Sequence, residues 1–132
     1  MKREELMIGD WVIRKGVPEE PMRLYDMKAA ADIAYLDQDG RCVAEKFENI
    51  EPIPLTSDIL EKNSFLKVEA IKYPNNSVGL SFLYRETSEG LRIFVQNARF
   101  GVPTSTMIKT CKYVHEVQHM IKMCDIEKAF VL

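Results

Sequence analysis

Short runs of alternating apolar and polar residues, each closed by a turn signal, fill the first half of the chain. Trp11-Val12-Ile13-Arg14 follows the turn pair Gly9-Asp10 and reads as a strand. Gly16 to Pro21 carries two prolines and reads as a loop. Met22 to Met27 forms a second strand, with Met22, Leu24 and Asp26 on one face and Arg23, Tyr25 and Met27 on the other. Ala29-Ala30-Ala31-Asp32 has low strand propensity and marks a bend. Ile33 to Leu36 is a third strand. Asp37-Gln38-Asp39-Gly40 then turns the chain, because Asp-Gly tolerates positive φ. Arg41 to Phe47 returns as a fourth strand, with Cys42, Ala44 and Lys46 opposing Val43, Glu45 and Phe47. Residues 1–50 are therefore predicted to form a curled, small barrel-like β subdomain.

Glu51-Pro52-Ile53-Pro54-Leu55 is a stiff connector, since proline holds the residue before it in extended geometry. Thr56-Ser57-Asp58 offers an N-cap to a short helix ended by Asn63, and residues 51–64 form the boundary. Residues 65–132 then read as sheet plus helix. Phe65 to Tyr73 opens this part, and Pro74 to Ser77 turns it. Val78 to Arg85 is a strand with Leu80, Phe82 and Tyr84 on one face. A turn at Ser88-Glu89-Gly90 leads to a strand with Leu91, Ile93 and Val95 on one face. Phe100 to Thr110 adds a strand interrupted by Gly101 and Pro103. From Val114 to Cys124 the period changes. Val114, Val117, Met120, Ile121 and Cys124 fall within about 120° of a helical wheel. The apolar end, Ala129 to Leu132, is expected to dock onto the body. The fold class is α+β: a curled N-terminal β subdomain, then an antiparallel meander capped by a C-terminal helix.

Composition narrows the function classes. The chain has 132 residues, 46% hydrophobic and 29% charged, which excludes wholesale disorder and fibrous repeats. A chain of this size buries roughly two thirds of its extended surface, enough for one core. Its 18 basic and 20 acidic residues leave a net charge of −2, against the basic excess of a generic nucleic-acid binder. Arg85, Arg92, Arg99, Lys109 and Lys112 tint the second half basic, but acidic neighbours offset them. The N-terminal Lys2-Arg3 pair is followed by two glutamates rather than by an apolar run, and no apolar stretch could span a bilayer. Three widely spaced cysteines, Cys42, Cys111 and Cys124, do not form a disulfide framework and suit a reducing cytoplasm.

One motif carries chemistry. His115-Glu116-Val117-Gln118-His119 matches H-E-x-x-H, in which two histidines on a helix bind zinc and the glutamate activates water. Asp125 lies where related patterns supply a third ligand. Those patterns also need a glycine three residues past the second histidine, and Lys122 stands there. On the wheel, His115 and His119 fall away from the apolar arc, so both are expected to face solvent. The simpler reading is a solvated helix face. A helix starting early would put Cys111, His115 and His119 in one stripe, although a half-buried cysteine explains Cys111 more simply.

The other constellations are weaker. There is no Gly-rich phosphate loop, no C-x-x-C and no G-x-S-x-G. Asp37, Asp39 and Glu45 are explained by hairpin solvation. Trp11, Tyr25, Tyr35 and Phe47 could form an aromatic groove, with core packing as the alternative.

The order of landmarks resembles a family. Leu6 to Val12 opens the chain, Ile50 to Thr56 leads into Ile59 to Phe65, and Tyr113 to His119 closes it. These stretches resemble small uncharacterised proteins of Bacteroides-type genomes and their phages or mobile elements. In that family the helix often reads Tyr-x-His-x-Leu-Gln-Asn, so the resemblance implies that His119 is incidental. It implies a setting and no activity.

Two functions follow as expectations. The first is a non-enzymatic cytoplasmic interaction module without a cofactor. It binds an unidentified protein, with Trp11, Tyr25 and Tyr35 as candidate contacts and a second copy of the chain among the candidate partners. The second is a small zinc-dependent hydrolase, with His115, His119 and Asp125 as ligands and Glu116 as the base.

Overall fold

The computed structural model describes residues 1–71, 79–99 and 102–132. The proposed turn at Pro74 to Ser77 and the start of the strand at Phe100-Gly101 lie outside them, as does the far end of the stretch from Phe65 to Tyr73. The chain divides into two units. One holds Met1–Pro54 and Tyr113–His115; the other holds Leu55–Lys112 and Glu116–Leu132. The fold is α+β, as the periodicities predict.

The first unit is a five-stranded antiparallel sheet: β1 (Trp11–Arg14), β2 (Val17–Lys28), β3 (Ile33–Gln38), β4 (Arg41–Lys46) and β5 (Ile50–Pro52). Their order is β4-β3-β2-β1-β5, so β4 and β5 are edges and the sheet stays open rather than closing into a barrel. Asp39 and Gly40 turn β3 into β4 with φ of 49° and 86°, the double positive φ that a two-residue hairpin demands. The triple alanine is a single 3-10 turn, ended by Asp32 in the left-handed region.

Two irregularities in β2 correct the strand pattern. Gly16 to Pro21 is not a loop, because β2 already starts at Val17. Arg14 pairs with Val17 and Val12 with Met22, so Pro18 to Pro21 form an irregularity opposite Ile13. Proline is tolerated at such a bulge because no ladder bond needs its missing N–H. The second irregularity is Tyr25. Leu24 pairs with Leu36 and Asp26 with Tyr35, which leaves Tyr25 as the extra residue. The alternation therefore shifts by one. Met27 joins Met22 and Leu24 on the core side, and Asp26 turns out. The core of this unit is Leu6, Val12, Met22, Leu24, Ala34, Leu36, Phe47 and Ile50. Phe47 reaches it from a 3-10 turn rather than from the end of β4.

The second unit starts with α1 (Ser57–Lys62), capped as expected: Thr56 Oγ1 accepts from the Ile59 N–H at 3.3 Å. The stretch from Phe65 yields only β6 (Leu66–Lys67), which lies parallel to the next strand. Then comes the meander of β7 (Gly79–Thr87), β8 (Gly90–Arg99) and β9 (Val102–Cys111), giving the order β6-β7-β8-β9. The turn between β7 and β8 needs Gly90. Its φ is 139°, and a Cβ there would stand 3.2 Å from the Cys111 carbonyl oxygen. The middle strand is buried on both faces. Ile93 and Val95 are covered on one side, Phe94 and Gln96 on the other.

The last helix, α2 (Val114–Met123), begins in the first unit and runs on in the second. Its end is a Schellman motif. The Ile126 N–H donates to the Ile121 carbonyl at 3.2 Å, the Asp125 N–H donates to Lys122 at 3.0 Å, and Asp125 has φ of 57°. The tail then docks as its apolar residues predict, with Phe130 buried. Asn63 holds it. Its amide donates to the carbonyls of Ile59 (2.8 Å) and Val131 (2.6 Å) and accepts from the Val131 N–H (2.8 Å). No described helix is long and apolar enough to cross a membrane.

Candidate functional site

The ladder of the first sheet sets residues in rows. Trp11 pairs with Arg23, Arg23 with Asp37, and Asp37 with Cys42, so one row crosses β1 to β4 on the face opposite the core. The Arg23 guanidinium lies 5.4 Å from the centroid of the Trp11 ring, a cation–π contact. The Cys42 thiol donates to Asp37 Oδ1 at 4.0 Å.

The bulge aims Tyr25 at the same side. Its ring centroid is 6.1 Å from that of Tyr35, with planes tilted by 46°. Tyr25 is 46% exposed and Tyr35 half-buried. The Tyr25 hydroxyl is held above the ordinary phenol range. Its hydrogen bond with Cys42 is the main cause, followed by burial and the nearby charges. The structure thus brings together the three aromatic residues singled out in the sequence, and Phe47 alone of the four packs in the core. It adds Arg23 and Cys42, which sequence reasoning missed, and Asp37, which it assigned to hairpin solvation. The register that joins them comes from pairing between strands, which no single run of residues encodes.

No family model, curated protein or solved structure matches the chain.

The residues of the H-E-x-x-H motif take other roles. His115 does not face solvent, a correction to the wheel: it is 7% exposed. Val114, His115, Val117, Gln118, Met120, Ile121 and Cys124 are all buried. That arc covers about 220° of the helix, wider than the apolar residues alone define. The His115 ring stacks on Tyr113, with centroids 5.9 Å apart and planes 15° apart. His119 is half-buried.

Glu116 is engaged twice. One carboxylate oxygen accepts from the Lys112 N–H at 2.9 Å, just ahead of the helix, and the other meets Lys109 Nζ at 3.2 Å. Asp125 is the left-handed residue that ends the helix, with its side chain exposed. The stripe through Cys111 also dissolves, since α2 starts at Val114 and Cys111 ends β9. The Cys111 thiol is buried and contacts Met120 Sδ at 3.6 Å. Burial, reinforced by Glu116, pushes its pKa up to about 12, so the thiol stays protonated and inert. Among the described residues, no three His, Cys, Asp or Glu side chains lie close enough to share a metal ion.

Proposed function

We propose that the chain is a non-enzymatic cytoplasmic module that binds a protein partner through the outer face of its N-terminal sheet. One observation carries this reading: Trp11, Arg23, Tyr25 and Tyr35 lie on one side of three neighbouring strands, with Tyr25 exposed at a bulge. Trp, Tyr and Arg are the residues in which interface binding energy concentrates. Rigid aromatic rings lose little entropy when a partner covers them. Three free cysteines support a reducing compartment. The resemblance to small Bacteroides-type proteins supports a mobile-element setting.

The test is a photo-crosslinking residue at position 25, introduced in cells. The expected result is a specific crosslinked protein that a Tyr35→Ala, Trp11→Ala background no longer yields, while circular dichroism is unchanged. Trp11 is the chain's one tryptophan, so its emission should shift when the purified partner is added. Equal capture by both backgrounds would sink the reading. The alternative is a small zinc-dependent hydrolase, in which Glu116 would have to leave its contacts with the Lys112 N–H and Lys109 to act as the base. About one zinc per chain by elemental mass spectrometry, lost in His115→Ala, would support it.

A further inference from the structure

Like charges directly opposite each other on a sheet face destabilise the pair. The second sheet holds such a pair. Arg85 of β7 stands opposite Arg92 of β8, and Arg92 stands opposite Thr110 of β9. Neighbouring strands lie about 4.8 Å apart, so the three residues form one row about 10 Å long. The row shares its face with Phe94. The alternate residues Lys109 and Cys111 meet Glu116 and Met120, which places the row on the side of the sheet away from α2.

Acidic neighbours in the sequence do not offset these arginines in space. Glu86 alternates to the other face and meets Lys67 at 3.6 Å. Glu116 meets Lys109 at 3.2 Å. Among the described residues, neither Arg85 nor Arg92 forms an ion pair. The Arg85 Nε–H is buried and has no hydrogen-bond partner among them. An enclosed donor without an acceptor is costly, and more so on a charged group. Arg85 also lines a groove of about 580 Å³ with Lys67, Val68, Glu69 and Glu86. Lys67 is matched there by Glu86, and the exposed Glu69 makes no ion pair with Arg85. Arg92 is exposed at the next strand.

We propose that Arg85 and Arg92 hold a doubly charged phosphate group, free or carried by a small monoester. The row presents two positive charges that no ion pair compensates. A phosphate monoester brings about −1.5 to −2 charges at pH 7 and three acceptor oxygens. Those oxygens suit two guanidinium forks and the Thr110 hydroxyl, and they supply the acceptor that the Arg85 Nε–H lacks. The groove beside Arg85 has room for the group that bears the phosphate. A single carboxylate would leave one of the two charges unmatched. A nucleic-acid backbone spreads its charges along a strand, whereas this row gathers two at one point of a chain whose net charge is −2.

A nuclear magnetic resonance titration of the full chain tests this by following the arginine Nε–H signals. The probes are glycerol 3-phosphate and inorganic phosphate, added separately. At pH 7 the Arg85 and Arg92 signals should shift together and saturate, with Kd of about 5 mM or tighter. Saturation with glycerol 3-phosphate assigns a monoester, and saturation with inorganic phosphate alone assigns the free ion. Binding should weaken about tenfold from pH 7 to pH 5, because the phosphate gains a proton with a pKa near 6. Arg92→Gln removes one exposed charge and should weaken binding about tenfold or more. It should not lower the thermal midpoint, because it also removes the repulsion across the ladder. No saturation by either probe to about 5 mM overturns the proposal. So does binding that Arg92→Gln leaves unchanged, or a thymidine oligonucleotide that shifts both arginine signals at lower concentration than either probe. Should Arg92→Gln fail to fold, the arginine signals of the unmodified chain decide alone.

Discussion

The two sheets expose opposite parts of themselves. The N-terminal sheet turns a face outward, with Trp11, Tyr25 and Tyr35 on it, and its edges are short or charged. The C-terminal sheet buries both faces of its middle strand and leaves a long, nearly uncharged edge in β9. A face recognises through side chains, where ring shape and charge select a partner. An edge recognises through the backbone, which any extended strand can match in part. The difference teaches that one small chain can display selective side chains on one sheet and a bare backbone ladder on another.

The largest way to break this contrast is Phe94→Ala. Phe94 is 2% exposed on the middle strand, so its loss leaves a cavity and should cost about 3–5 kcal/mol in urea denaturation. A cost below about 1 kcal/mol would mean that this face of β8 is not packed, and the contrast would collapse.

A second test comes from alkali. Burial raises Cys111 from 9.0 to about 12, and burial with the Glu61 hydrogen bond raises Tyr84 from 10.0 to about 12. The Tyr84 hydroxyl donates to Glu61 at 2.8 Å. Both folded-state values lie above the unfolded ones, so the unfolded chain releases these protons first. Their stabilising contributions are complete below pH 9 and 10 respectively, and fade as pH rises through about 12. Stability measured between pH 8 and 12 should therefore fall, and Cys111→Ala should start the fall nearer pH 10. A flat profile would contradict the enclosed environment assigned to both groups.

The smallest effect on stability sharpens the contrast most. Tyr25→Ala removes an exposed ring at a bulge and should change unfolding free energy by about 0.5 kcal/mol or less. The same change should still weaken capture of a partner at the outer face. A stability loss above about 2 kcal/mol would make Tyr25 a structural residue instead.

The candidate site was legible in part. Trp11, Tyr25 and Tyr35 stand out as large aromatics on strand-like segments. Arg23 and Cys42 join them only because β1, β2, β3 and β4 pair in one register. The H-E-x-x-H motif shows a different limit. The spacing is present, but Lys109 and Lys112 draw Glu116 into a cap and an ion pair that the five motif residues do not announce.

What the sequence determined by itself is local. The Asp39-Gly40 turn, the Thr56 cap, the meander with its turn at Gly90, and the final helix each follow from chemistry within a few residues. The tertiary structure alone decided the rest. It made a bulged strand of the Pro18–Pro21 stretch, moved Met27 to the core side by inserting Tyr25, and buried His115 on a helix enclosed beyond its apolar arc. It also left β9 at an edge. Each of these depends on which distant strand or helix lies alongside, and pairing and burial are properties of neighbours in space rather than neighbours in sequence.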